Sequence, residues 1–136
     1  MKSILAALLL TLTACCCTQH DKPLEGTTWK LTSLEGIPAA AIAAEEDAFT
    51  LEFDVKEAML AGRTDCNRFF GPYTVESRTL TLGEMGMTRM ACPDMEHENA
   101  FMQMLEHVTA YAIEGDRLTL LAGDEPLAEF KAVELK

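Results

Sequence analysis

The chain predicts a small, mainly β domain: an antiparallel sheet curled on itself into a barrel-like form, with one α-helix packed on it. Three observations carry this reading. Short runs of alternating apolar and polar residues recur along the chain, as half-buried strands require. Gly, Pro and Asp punctuate these runs at close intervals. One later stretch carries a helical stripe instead. The 136 residues are one domain's worth of protein.

The elements follow in order. Thr27 to Leu34 alternates and is β-prone, and Glu35-Gly36-Ile37-Pro38 ends it. Residues 39–46 are Ala-rich and read as a helical turn or a loop. Phe49, Leu51 and Phe53 alternate with Thr50, Glu52 and Asp54, a half-buried strand. Ala58 to Ala61 is a strand ending at Gly62. Phe69 to Val75 is another, and its Gly71-Pro72 suits an edge or a bulge rather than a central position. Thr79 to Leu82 is a short strand closed by Gly83, and residues 85–91 read as extended.

Pro93 can open a helix, which is expected over about 93–107. Phe101, Met104, Leu105 and Val108 form its apolar stripe, at i, i+3, i+4 and i+7. Asp94, Glu96 and Glu98 lie in its first turns, at the positive end of the helix dipole. Strands at Tyr111–Glu114, Arg117–Leu121 and Leu127–Val133 close the chain, separated by Gly115-Asp116 and by Gly123-Asp124-Glu125-Pro126.

Charge limits the partners. Eleven Lys and Arg against 22 Asp and Glu give a formal net charge of −11. Phosphate contacts need a basic surplus, so nucleic acid is not an expected partner. Adhesion to an anionic membrane by charge alone is equally disfavoured.

The first residues carry an address. Met1-Lys2-Ser3 is a short positive start, and Ile4 to Leu12 is an apolar run of nine residues broken by Thr11. That length suits a secretory signal and is too short for a permanent span. Leu12-Thr13-Ala14-Cys15 resembles the lipobox of bacterial lipoproteins. The resemblance implies a signal peptide over 1–14, lipidation of Cys15, and a tether over 15–26 ahead of a domain at 27–136. Several acyl chains give stable attachment, so the membrane is a partner through that lipid anchor. Cys16 follows the anchor where Asp would signal inner-membrane retention, so the expected address is the outer membrane, facing the periplasm. Cys16 and Cys17 have no assigned role.

Two motifs and the start of the domain resemble a known family. The motifs are Gly62-Arg63-Thr64-Asp65-Cys66-Asn67-Arg68-Phe69-Phe70-Gly71-Pro72-Tyr73 and Met87-Thr88-Arg89-Met90-Ala91-Cys92, the latter followed by Glu98 and Phe101 to Leu105. The start is Gly26-Thr27-Thr28-Trp29-Lys30-Leu31. Together they resemble the META domain, or HslJ-like, family over about residues 25–133. Asp65 departs from the pattern, since the family usually has Gly before its cysteine. The resemblance implies a small β-rich domain with a packed helix, a disulfide between Cys66 and Cys92, and a link to envelope stress. An exported protein is where such a pair is expected to join. The alternative is a redox or metal-binding pair, but the spacing is not C-x-x-C and no second Cys/His pair sits at zinc spacing.

The remaining candidates are three. Asn67, Tyr73 and Arg89 lie inside the motifs and form a candidate recognition surface for an envelope protein partner. Six of the eight methionines lie between 85 and 104. Thioether sulfur is a soft ligand that selects copper(I). Met85, Met87, Met95 and His97 therefore form the alternative metal set, against a reading in which Met fills gaps under the helix. A nucleophilic enzyme is not expected, because no serine sits in an elbow motif and a Cys–His pair would need a free cysteine. The expected function is a non-enzymatic, stress-related interaction module with no cofactor. A small-ligand or copper(I)-binding periplasmic protein is the alternative.

Overall fold

Nine strands and two helices follow one another in the computed structural model, which describes residues 20–135. They are β1 (Thr28–Leu34), α1 (Ala39–Ala43), β2 (Thr50–Asp54), β3 (Met59–Arg63), β4 (Arg68–Glu76) and β5 (Thr79–Leu82). β6 (Gly86–Met87), α2 (Glu96–His107), β7 (Ala110–Glu114), β8 (Arg117–Ala122) and β9 (Glu125–Val133) complete the series. The signal peptide, Cys15, Cys16 and Cys17 lie outside the described residues.

The sheet runs β3-β2-β1-β9-β8-β7-β5-β4, and β4 returns to β3. Eight antiparallel strands thus close into a barrel, and β6 adds a short ninth beside β4. Closure removes the open edges that a curled sheet would leave. Antiparallel order sorts the connections. The β2–β3, β4–β5 and β7–β8 turns share one end of the barrel. The 64–67 loop, the 83–95 segment and the β8–β9 turn share the other.

Alternation fills the barrel as the sequence reading requires. Trp29, Leu31, Leu51, Phe53, Leu60, Phe69, Leu118, Leu120 and Phe130 all point inward and are fully buried. Helix α2 plugs the second end with the stripe read from sequence: Phe101, Met104, Leu105 and Val108 are all buried. The Phe101 ring lies 5.6 Å from Phe49, 5.8 Å from Phe69 and 6.2 Å from Phe130, tilted or edge-on to each.

The structure corrects the sequence reading at four points. β3 continues through Gly62 because Gly62 is a packing position and not a stop. A Cβ there would overlap the Thr50 carbonyl oxygen and the Phe69 ring. Gly62→Ala is therefore expected to lower stability by about 1–3 kcal/mol, through forced displacement of that ring. Urea unfolding checks it, against a control at the exposed neighbour in the same strand, Ala61→Ser.

β4 is central, not an edge, despite Pro72. Pro72 sits between the Phe70–Gly86 and Tyr73–Leu82 pairings, where β6 and β5 leave a gap. Its carbonyl accepts from Gly83 N at 2.8 Å on that side, so the missing N–H faces the gap and breaks no ladder bond. Helix α2 starts at Glu96, not Pro93. Cys92 is held to Cys66, and Asp94 Oδ1 accepts from Glu96 N at 2.8 Å, so the chain turns before it winds.

The segment expected as a tether is part of the domain from Asp21 on. Lys22 N donates to Gly115 O and Gly115 N donates to Asp21 Oδ1, at 2.8 and 2.7 Å. Leu24 is buried, and its carbonyl accepts from Trp29 Nε1 at 3.0 Å.

Candidate functional site

The plugged end of the barrel holds a cluster of buried polar side chains. The chain leaves β3 at Arg63, turns through 64–67 and re-enters the wall as β4. Thr64 makes the turn: its Oγ1 accepts from Cys66 N at 3.1 Å and from Asn67 N at 2.9 Å. The same hydroxyl donates to Glu98 Oε1 at 2.6 Å. Glu98 lies in the first turn of α2 and is only 4% exposed. Asn67 completes its shell, with backbone N on Oε1 at 3.2 Å and Nδ2 on Oε2 at 3.3 Å. Among the described residues Glu98 has no salt-bridge partner. Three donated hydrogen bonds and the helix N-terminus compensate its burial.

Asn67, 2% exposed, faces the other way as well. Its Oδ1 accepts from Met90 N at 2.7 Å and from Thr88 Oγ1 at 2.9 Å, and its Nδ2 reaches Met90 O at 3.3 Å. This amide therefore clamps the 88–90 segment as a strand partner would. The disulfide between Cys66 and Cys92 fixes the same segment one step later.

Beside this cluster lies a surface depression of about 440 Å³. Met85, Met87, Met90 and Met95 line it, with Asn67 and Glu98 also on its wall. Met87 ends β6, and Met85 stands just before it.

Residues 22–134 match the model of the META domain. The chain belongs to the META domain family. Heat shock protein HslJ of Escherichia coli strain K12 is 28% identical, over 99% of each chain. An NMR structure of a protein from Burkholderia xenovorans superposes with a TM-score of 0.64 at 23% identity, covering 82% of this chain and 85% of that one. A crystal structure of a DUF4847 family protein from Bacteroides vulgatus gives 0.60 at 16% identity, covering 83% and 96%. These two likenesses carry the fold alone.

The two motifs that pointed to the META domain are the two sides of this cluster. The first supplies Thr64, Cys66 and Asn67, and the second supplies Thr88, Met90 and Cys92. The candidate recognition surface needs correction, however. Tyr73 is buried inside the barrel, with its ring edge-on to Phe53 at 5.0 Å, and burial pushes its phenol above the usual tyrosine range, helped by nearby Glu25 and Asp54. Asn67 is buried too. Only Arg89 of the three is exposed. The metal set is also redrawn: His97 does not line the depression but lies 3.6 Å from Asp65, while Met90 joins the three methionines that do. The sequence reading held Thr64 in the first motif and Glu98 beside the second and in the helix dipole, but gave neither a place in the site. The polar run before β4 marked a turn, but no local signal pointed from it to Glu98.

Asp65, the departure from the META pattern, is costly where it stands. Its Oδ1 is buried without a hydrogen-bond partner among the described residues. Burial pushes its carboxyl above the usual range, and Glu98 and Asp94 add to this, while its own backbone N–H and His97 act in the opposite sense. A raised folded-state value means that the folded form holds this proton more tightly than the unfolded chain. Stability from this group is thus fully present below the ordinary 3.8 and is lost as pH rises through the folded value. Asp65→Asn is expected to raise the urea midpoint at about pH 7 and to leave it nearly unchanged at about pH 3. An equal change at both would show that packing, not charge, is responsible.

Proposed function

We propose that this META domain protein is a lipid-anchored component of the bacterial envelope, attached through Cys15, and that its domain is a non-enzymatic interaction module of a stress response. One observation carries the non-catalytic part. The polar groups gathered at the plugged end serve one another: Thr64, Asn67 and Glu98 are mutually bonded, and Cys66 and Cys92 are joined. Their chemistry is spent on holding two segments and a helix together. The similarity to heat shock protein HslJ supports the stress reading, and the lipobox resemblance supports the anchor.

The recognition surface moves to the outer face of β4 and β6. Phe70 is 54% exposed and Met90 59% exposed. Arg68 and Arg89 are exposed beside them. In a chain of net charge −11, this is an apolar face framed by cations. It suits a protein partner that presents acidic and apolar side chains.

Crosslinking in intact envelopes, followed by mass spectrometry, tests the reading. The expected result is one reproducible partner, lost in Phe70→Ala and in Arg89→Glu chains that unfold like the parent. Capture that survives both changes, or no partner above background, overturns it. Release of a Cys15→Ser chain from the membrane fraction checks the anchor separately.

A further inference from the structure

The depression beside the polar cluster has a composition that a recognition face does not need. Four thioethers border it, together with one buried acid. We propose that it is a binding site for copper(I), with Met85, Met87, Met90 and Met95 supplying the sulfurs. This goes beyond the interaction reading and does not depend on it.

The ligand chemistry comes first. Thioethers are soft, uncharged donors, and copper(I) is the soft monovalent ion of the first-row metals. Hard divalent ions need carboxylate or carbonyl oxygen. Among the described residues no group of three or more His, Cys, Asp or Glu side chains is placed to hold a metal. The wall is thus built for a soft ion.

The backbone positions are fixed, each by a different bond. β6 begins just after Met85 and ends on Met87, with Gly86 paired to Phe70 and Met87 to Phe69 of β4. Gly71 lets Met85 approach, since a Cβ there would press on its Sδ. Met90 is held at N and O by the Asn67 amide. Met95 stands at the start of α2, and its carbonyl accepts from Asn99 N at 3.0 Å. Flexible side chains on pinned backbones can converge on an ion without a rearrangement of the chain.

Charge is the independent observation. Glu98 lines the same depression, is nearly fully buried, and has no salt-bridge partner among the described residues. Both its oxygens are occupied by Thr64 and Asn67, so it is not a ligand. It is the buried charge behind neutral sulfurs, while Arg89, the other charged residue on the wall, is exposed to solvent.

The test uses the full chain with Cys15, Cys16 and Cys17 changed to Ser, which leaves the Cys66–Cys92 bond as the remaining sulfur pair. Copper(I), kept reduced by ascorbate without thiols, is offered under argon in competition with a chromophoric chelator. The expected result is withdrawal of one copper per chain from the chelator. A Met85→Leu, Met87→Leu, Met95→Leu chain is expected to lose that competition while unfolding like the parent, since Leu conserves the Met volume. Silver(I) titrated into protein labelled at the methionine methyls is expected to shift the Met85, Met87, Met90 and Met95 signals and to leave Met59 in place. Copper left on the chelator by the parent overturns the proposal. So does equal competition by the triple variant, or silver shifts confined to other methionines.

Discussion

Glu98→Ala is expected to destabilise the domain by about 3 kcal/mol, because it takes the acceptor from three buried hydrogen bonds that Asn67 O, Met90 O and Thr64 Oγ1 replace only in part. Thr64 Oγ1 and Asn67 Nδ2 each lose an acceptor, and Asn67 N loses one of two. The loss reaches beyond helix α2. Asn67 also clamps Met90, so the second motif segment should loosen with it. Glu98→Gln keeps one acceptor oxygen but brings an NH2 group against donors, so an intermediate loss is expected. Glu96→Ala, one turn edge away on the exposed side of the helix, should cost little. Urea unfolding of the three chains decides it. Equal, small effects at 96 and 98 would show that the buried acid is not holding the two motifs together.

Loss of the disulfide ranks beside it. The bond closes a separation of 26 residues that contains β4, β5 and β6. By the chain-entropy argument, a Cys66→Ser, Cys92→Ser chain should lose roughly 3.5 kcal/mol. The hydrogen-bonded clamp at Asn67 survives reduction, so the loss should be global more than local. Amide exchange separates the two: protection at Thr88 and Met90 should fall by about the same free energy as protection at Leu118 and Leu120. If only the 88–92 amides speed up, the bond pins a flap and does not staple the barrel.

The barrel was legible in sequence where one face of an element is buried and the other is wet. Phe49 to Asp54 and Arg117 to Leu121 alternate because their inner residues meet the core. The α2 stripe was legible for the same reason at a period of 3.6. Pro72 misled because the rule concerns the side its nitrogen faces, and the gap between β5 and β6 is a tertiary fact. The motif cysteines were readable through the resemblance. The site itself was less so. Glu98 resembles any acid at a helix start, and its partner Thr64 is 34 residues away. Tyr73 and Asn67 carry polar groups that suggest a surface, yet the barrel interior and the 88–90 segment take them in. Side-chain polarity alone does not say which of two neighbours a group will serve.

The docking of Asp21 and Lys22 on the β7–β8 turn fixes which way up an anchored molecule stands. Were Cys15 lipidated as proposed, the five residues between it and Asp21 could span at most about 20 Å, at ~3.5 Å per residue. Asp21 joins the barrel end that carries the β2–β3, β4–β5 and β7–β8 turns. On the proposed anchoring, those turns would face the bilayer. Helix α2, the disulfide and the methionine-lined depression occupy the far pole, pointed into the aqueous space. On the same proposal, a visitor to that pole need never touch the membrane.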